Sequence, residues 1–294
     1  MDLVLGIDGG GTSCRAALAT SSGEVLGRGK SGPSNIMSDF DGARNNILEA
    51  TRLAFVDAGK DPALIPQTTA VLGLAGTNVG GYGQRLKDVL PFRQSFVESD
   101  ALIALNGALG DHDGAIAIIG TGSIFMSRKS AKLTTIGGWG FMLGDLGGGA
   151  RMGRDLLQET LIVHDDIRPG SALSSAVMEK FSGDPREIVK FGAASKPSDF
   201  GTFAPMVFDY IDKGDAVAVR VLARAVSDIE EALDVLKLDA DDRLCLLGGL
   251  AQLFTPHLSE RYRKIVHPPL QDALGGAVMM AVRALGQKEP AGHV

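Results

Sequence analysis

The opening of the chain restricts its fold most. Leu3-Val4-Leu5-Gly6-Ile7-Asp8 runs into Gly9-Gly10-Gly11-Thr12-Ser13 and then Cys14-Arg15-Ala16-Ala17-Leu18. An apolar run that stops at one carboxylate and a glycine turn predicts a buried strand, and the second run predicts a returning one. Consecutive glycines let the backbone turn tightly and bring its N–H groups close to a ligand. Ordinary hairpins also use such turns, so this stretch alone leaves phosphate binding and a plain hairpin both open. It is not a P-loop, because no Gly-Lys-Ser/Thr follows, and not a dinucleotide fingerprint, because a strand follows the glycines where a helix would be needed. Asp8 stands where the strand ends, so its charge can meet a metal ion.

The pattern returns about 112 positions later, counted from Asp8 to Gly120. Ala115-Ile116-Ala117-Ile118-Ile119 leads into Gly120-Thr121-Gly122-Ser123 and then Ile124-Phe125-Met126, and Leu244 to Ala251 echoes Val71 to Gly76. Two similar halves, each three strands followed by helix–strand units, predict an α/β protein of two lobes. A cleft would lie between them, with both glycine turns facing one ligand. Residues 1–108 are expected to form the first lobe, joined by a C-terminal helix over 277–294, and 109–276 the second. Predicted elements include strands at Thr69 to Leu74, Gln94 to Val97 and Tyr262 to Val266. Helices are expected over Asp39 to Ala58 and Ala101 to Leu109, with a largely helical insert from Ala150 to Leu236 and a fraying tail from Gly286.

At 294 residues the chain has room for two cores. Its net charge of −6, with no basic run, argues against a nucleic-acid partner. Cys14 and Cys245 lie far apart in apolar, strand-like runs, which predicts buried thiols in a reducing compartment with neither a disulfide nor a structural metal. No stretch suits a membrane span and the N-terminus lacks a signal-peptide pattern, so a cytoplasmic protein is expected.

Four places carry competing readings. Asn35, in Gly32-Pro33-Ser34-Asn35, can bind a polyol or cap a turn. Asp100 ends a strand just before an apolar helix; it can be a catalytic group at a strand's carboxyl end or a helix cap. Trp139, the one Trp in the chain, lies in Gly137-Gly138-Trp139-Gly140 with Gly144-Asp145 following. Its ring can face a sugar or pack beneath a loop. The glycines of Ala273-Leu274-Gly275-Gly276-Ala277 can admit an adenosine or permit close helix packing.

Taken in order, these motifs resemble the actin/Hsp70/sugar-kinase superfamily of ribonuclease H-like lobes, with βββαβαβα duplicated. Within it the chain is similar to the N-acetylglucosamine and glucosamine kinases related to the BadF/BadG/BcrA/BcrD ATPases. The resemblance spans nearly the whole chain, and Gly-Gly-Trp-Gly followed by Gly-Asp points to the amino-sugar kinases. It implies ATP and Mg²⁺, transfer to a sugar 6-hydroxyl, and a homodimer. N-acetylglucosamine is the leading substrate and glucosamine the alternative.

The resemblance implies residue roles as well. Gly9, Gly10, Gly11, Thr12 and Ser13, with Gly120, Thr121, Gly122 and Ser123, would hold the ATP phosphates. Gly248 and Gly249 would lie near adenosine, and Asp8 would position hydrated Mg²⁺. Asp100 would be the base, and Asn35, Gly76, Gly138, Trp139 and Asp145 would line the sugar pocket with it. An ATPase activator of the BadF/BcrA type is the competing class. Its cluster-holding cysteine pair is not matched by Cys14 and Cys245, and no helix-turn-helix segment precedes Asp8 to suggest a regulator.

Overall fold

The computed structural model describes residues 2–77 and 81–285. The chain divides into two compact units, Met1–His112 with Pro268–Val294, and Asp113–His267. The joins expected after 108 and 276 therefore fall after His112 and His267. Asn78 and the tail from Gly286 lie outside the described residues.

The first unit runs β1 (Leu3–Gly9), β2 (Cys14–Thr20), β3 (Val25–Ser31), α1 (Phe40–Asp57), β4 (Thr69–Leu74), α2 (Tyr82–Lys87), β5 (Gln94–Ser99) and α3 (Asp100–Leu109). Its sheet order is β3-β2-β1-β4-β5, with β1, β4 and β5 parallel and β2 antiparallel to both neighbours. The central strands β1, β2 and β4 read as mostly apolar runs because both faces are covered, whereas the edge strands β3 and β5 carry Arg28, Lys30 and Glu98 and are only partly buried. Leu5, Ile7, Leu18, Leu72 and Leu74 pack with Ile47, Ala50 and Phe55 of α1. On the other face Val4, Ala17, Ala19 and Val71 meet Ile103 of α3 and Leu274, Ala277, Val278 and Ala281.

The second unit opens with β6 (Gly114–Ile119), β7 (Ser123–Lys129) and β8 (Lys132–Gly137). The insert supplies α4 (Gly149–His164), α5 (Ala172–Lys180), α6 (Pro185–Ala194), α7 (Pro197–Gly201), α8 (Ala204–Ile211) and α9 (Ala216–Val235). Then come β9 (Arg243–Leu247), α10 (Ala251–Phe254) and α11 (Glu260–Arg263). The sheet order is β8-β7-β6-β9, with β6 parallel to β9. Ala115, Ala117, Ile119, Phe125 and Leu244 form one core with the insert helices. The strand expected over Tyr262 to Val266 does not form. Its first residues coil into α11 and only Val266 bridges to Leu244. Tyr262 in α11 and Ile265 in the turn after it are both buried against the core of the insert helices.

The last helix, α12 (Ala273–Leu285), belongs to the first unit, and its Gly276 serves packing. A Cβ on Gly276 would stand 2.0 Å from the Ile103 carbonyl oxygen, and one on Gly107 would stand 2.2 Å from that of Asp272. The helices α3 and α12 therefore touch backbone to backbone at Gly276, whereas Gly275 faces the Gln271 side chain.

In the insert, one carboxylate serves two helix starts. Asp215 accepts from Val217 N (2.9 Å) and Ala218 N (3.1 Å) at the start of α9, and from Leu173 N (2.9 Å) in the first turn of α5. Burial raises the Asp215 carboxyl, but the hydrogen bonds from Leu173 and Ala218 outweigh it and hold the group below its ordinary value. A depressed carboxyl stabilises the fold above the unfolded-state value and ceases to as pH falls through the folded-state value. Asp215→Ala is therefore expected to cost about 2 kcal/mol at neutral pH. In urea denaturation the gap to the wild type should narrow below pH 4, the region of an ordinary Asp.

Candidate active site

In the first unit, the expected residues gather at the carboxyl ends of the three parallel strands. Asp8 pairs in register with Gly73 of β4, and Gly73 with Glu98 of β5, so Asp8, Ala75-Gly76 and Asp100 follow the same sheet edge. Open α/β sheets bind ligands along such edges. The β1–β2 turn closes through Gly10 N donating to the Ser13 carbonyl (3.0 Å), and Ser34 N donates to the Gly10 carbonyl (2.9 Å). That bond brings the Gly32 to Asn35 loop against the turn. Asn35 and Gly76 meet as well: a Cβ on Gly76, whose φ is +88°, would lie 2.8 Å from Asn35 Oδ1. Asn35 Oδ1 accepts from Met37 N (3.0 Å) and Ser38 N (3.2 Å), so it does form a turn. The same bonds orient its NH₂ group, which is the end of the amide suited to a sugar hydroxyl.

Asp100 is not the helix cap. Ser99 Oγ takes that role, accepting from Leu102 N (3.2 Å), while Asp100 is the first residue of α3 and its Oδ1 accepts from Ala101 N (2.8 Å). The residue keeps an exposed face. Even so, surrounding protein displaces enough water to raise its carboxyl above the ordinary range. The negative charge of Asp8 pushes the same way, against the lowering effect of the Ala101 N–H. Such a carboxylate holds a proton more readily than a free Asp, which suits a base.

Asp8 has a partner that the sequence did not disclose. Arg15, opposite it on β2, donates from Nε to Asp8 Oδ2 (3.1 Å) and from Nη1 to Asp272 Oδ2 (2.8 Å). Asp272 in turn caps α12 through Gly275 N (2.9 Å). Among the described residues no group of three or more His, Cys, Asp or Glu could enclose a metal. A single carboxylate with one oxygen engaged fits hydrated Mg²⁺ held mainly by phosphate oxygens, and does not fit a cation caged by protein. Cys14, directly after the turn, is buried and its thiol is pushed up to about 11, mainly by that burial, so it stays protonated.

In the second unit, Gly120 to Ser123 and Gly248-Gly249 follow β6 and β9, where Ile118 pairs with Leu247. Gly149 N donates to the Gly120 carbonyl (2.8 Å), Ala150 N to that of Thr121 (2.9 Å) and Ser123 Oγ to that of Leu146 (2.7 Å). Leu250 N donates to the Ile119 carbonyl (3.1 Å). These bonds gather the turn, the start of α4 and the Gly248-Gly249 corner. Asp145 reaches the turn rather than Trp139, since a Cβ on Gly122 would meet its Oδ2 at 2.6 Å. Burial pushes the Asp145 carboxyl up, opposed by the Ser123 N–H and the charge of Arg151. Trp139 is 80% exposed, which excludes the packed reading of its ring.

At three of these turn positions neither packing nor backbone conformation calls for glycine. A Cβ at Gly11, Gly120 or Gly249 would meet nothing within 4 Å, and none of the three has a left-handed φ. Packing does not require glycine there. Close approach of a ligand to the backbone is a physical reason for it.

The fold is that of the actin-like sugar kinases, with two α/β units. A candidate N-acetylglucosamine kinase from Chromobacterium violaceum, solved crystallographically, superposes with a TM-score of 0.84 at 27% identity, covering 96% of this chain and 99% of that one. The model of the BadF/BadG/BcrA/BcrD ATPase family matches residues 5–281, and the chain belongs to that family. It is 36% identical to glucosamine kinase GspK of Vibrio cholerae, over 96% of each chain. It is 26% identical to the N-acetyl-D-glucosamine kinase of Dictyostelium discoideum, over 95% of this chain and 97% of that one.

Proposed function

We propose that the protein is an ATP-dependent kinase that phosphorylates the 6-hydroxyl of an amino sugar. The observation that carries the reading is Asp100: a carboxylate at a strand's carboxyl end, relieved of capping by Ser99, exposed, and raised toward a proton-accepting range. Gly9 to Ser13 and Gly120 to Ser123 would bind phosphate oxygens through backbone N–H groups, and Gly248-Gly249 would lie against the adenosine. Asp8 would hold a water of hydrated Mg²⁺, an ion that supplies charge neutralisation to the phosphates when bound. Asn35, Gly76, Gly138 and Trp139 would receive the sugar. Asp145 belongs to that set and also braces Gly122.

Phosphoryl transfer requires in-line placement and charge stabilisation more than covalent help. As the sugar O6 bonds to the γ-phosphorus, the bond to the ADP oxygen breaks, and the hydroxyl proton passes to Asp100 late in the step. Glucosamine is placed ahead of N-acetylglucosamine because the 36% relative bears its name, while relatives named for the acetylated sugar are 22–27% identical. The homodimer remains an expectation from the family resemblance, checked by sedimentation of the purified protein.

The test is ATP consumption with Mg²⁺ across glucosamine, N-acetylglucosamine, N-acetylmannosamine and glucose. Turnover should depend on an amino sugar and be fastest with glucosamine. Equal turnover with and without any sugar would sink the kinase reading in favour of an ATP-hydrolysing activator.

A further inference from the structure

The loop that carries Trp139 is tied down by a side chain outside the set above. Arg151, in the first turn of α4, donates from Nη1 to the carbonyl of Gly144 (3.2 Å). Its Nη2 lies 3.5 Å from Asp228 Oδ2 on α9. Both side chains are mostly buried, at 25% and 20% exposure, so water screens the pair only partly. Gly144 N donates back to the Gly140 carbonyl (2.7 Å), closing the loop on itself. Gly144 also presses on the tryptophan: a Cβ there would stand 2.9 Å from Trp139 Cβ and 3.2 Å from its Cα. The chain of contacts is therefore Asp228 to Arg151, Arg151 to the Gly144 carbonyl, and Gly144 to the Trp139 backbone. At its end the indole is left facing solvent beside Met142 and Leu143, which are 79% and 91% exposed.

A loop with glycine at 137, 138, 140 and 144 has many conformations to lose when a ligand arrives. A guanidinium can grip a carbonyl and a carboxylate at once through its planar fork; an ammonium is a single point. We propose that Arg151 is a positioning residue for the sugar. It would preorganise the Gly138 to Gly144 loop through the Gly144 carbonyl, and Asp228 would hold Arg151 in place. The inference rests on the kinase reading and deepens its account of sugar affinity.

Because Trp139 is the one tryptophan in the chain, fluorescence excited selectively at tryptophan reports on this loop. Glucosamine and N-acetylglucosamine are titrated into the wild type, Arg151→Lys, Arg151→Met, Asp228→Asn and the double variant Arg151→Met/Asp228→Asn. Sugar and ATP KM values are measured alongside. Arg151→Met should weaken sugar binding and raise the sugar KM by about 10- to 100-fold, with the KM for ATP unchanged. Arg151→Lys, a fold-preserving control, should show a smaller loss in the same direction. The double variant should be no worse than Arg151→Met, since both changes break one tie. Wild-type sugar affinity in Arg151→Met, an equal loss for ATP and sugar, or additive losses in the double variant would each overturn the proposal. A wild-type protein that neither binds nor phosphorylates an amino sugar overturns the kinase reading itself, and that result is visible before any variant is compared.

Discussion

Asp100→Asn should lower kcat for sugar phosphorylation by about 10³-fold while the protein gains stability at neutral pH. The amide has the volume of the carboxylate and its Oδ1 can still accept from Ala101 N, so the start of α3 is preserved. It cannot take the hydroxyl proton, so the loss falls on turnover rather than on sugar binding. The stability gain follows from the raised carboxyl. When a folded-state value lies above the unfolded one, the ionised group disfavours the fold. The penalty begins as pH rises through the ordinary Asp value, is complete above the raised one, and vanishes in acid. Melting curves of the wild type and Asp100→Asn should separate at neutral pH, with the variant higher, and converge in acid. The acid limb of kcat/KM should also lie above the ordinary Asp value. A variant that keeps wild-type turnover would remove Asp100 from the chemistry. A variant that melts lower at neutral pH would show that the carboxylate supports the fold instead.

Gly276→Ala should destabilise the protein by about 3 kcal/mol, although alanine is the better helix former by about 1 kcal/mol. The added Cβ would meet the Ile103 carbonyl oxygen at 2.0 Å and Gly107 N at 2.5 Å. Both are backbone atoms, so no rotamer relieves the overlap and α3 and α12 must part. The displacement would not stay local. Val278 N lies 2.6 Å from where a Cβ on Gly6 would sit, and Asp272 at the start of α12 holds the Arg15 that holds Asp8. Urea denaturation should show a lower midpoint, and the variant should need more Mg²⁺ for half-maximal rate. A midpoint at or above the wild type would refute the backbone contact.

The central strands were legible because their residues are apolar on both faces, and the paired glycine turns because they interrupt such runs twice in the same way. Thr69–Leu74 is found as read. The Tyr262 to Val266 segment misled because Tyr, Ile and Val favour strands locally, while a short helix and the turn after it are what bury Tyr262 and Ile265 in the insert core. Among the candidate site residues, Asp8 and Asp100 stand out at strand ends and Asn35 in a polar loop, while Gly76 and Asp145 enter only through the family resemblance. The resemblance puts Asp145 in the sugar pocket with Trp139, yet at φ +56° its carboxylate also turns onto Gly122, which nothing in the sequence announces. Left-handed backbone at a non-glycine residue leaves little trace in sequence. The pairing of Arg15 with Asp272 spans 257 positions and is visible only once α12 is folded onto the sheet.

The first unit is assembled from the two ends of the chain, and this sets an order of events during synthesis. Residues 113–267 are continuous and hold their own core, so that unit can complete as soon as it emerges. The face formed by Val4, Ala17, Ala19 and Val71 must wait for Leu274 to Ala281. At ribosomal speeds the roughly 200 intervening residues correspond to about 10–40 s of exposed apolar sheet. Nascent chains stalled before α12 should therefore be bound by chaperones through the β1–β4 surface, and release should coincide with the emergence of the last helix.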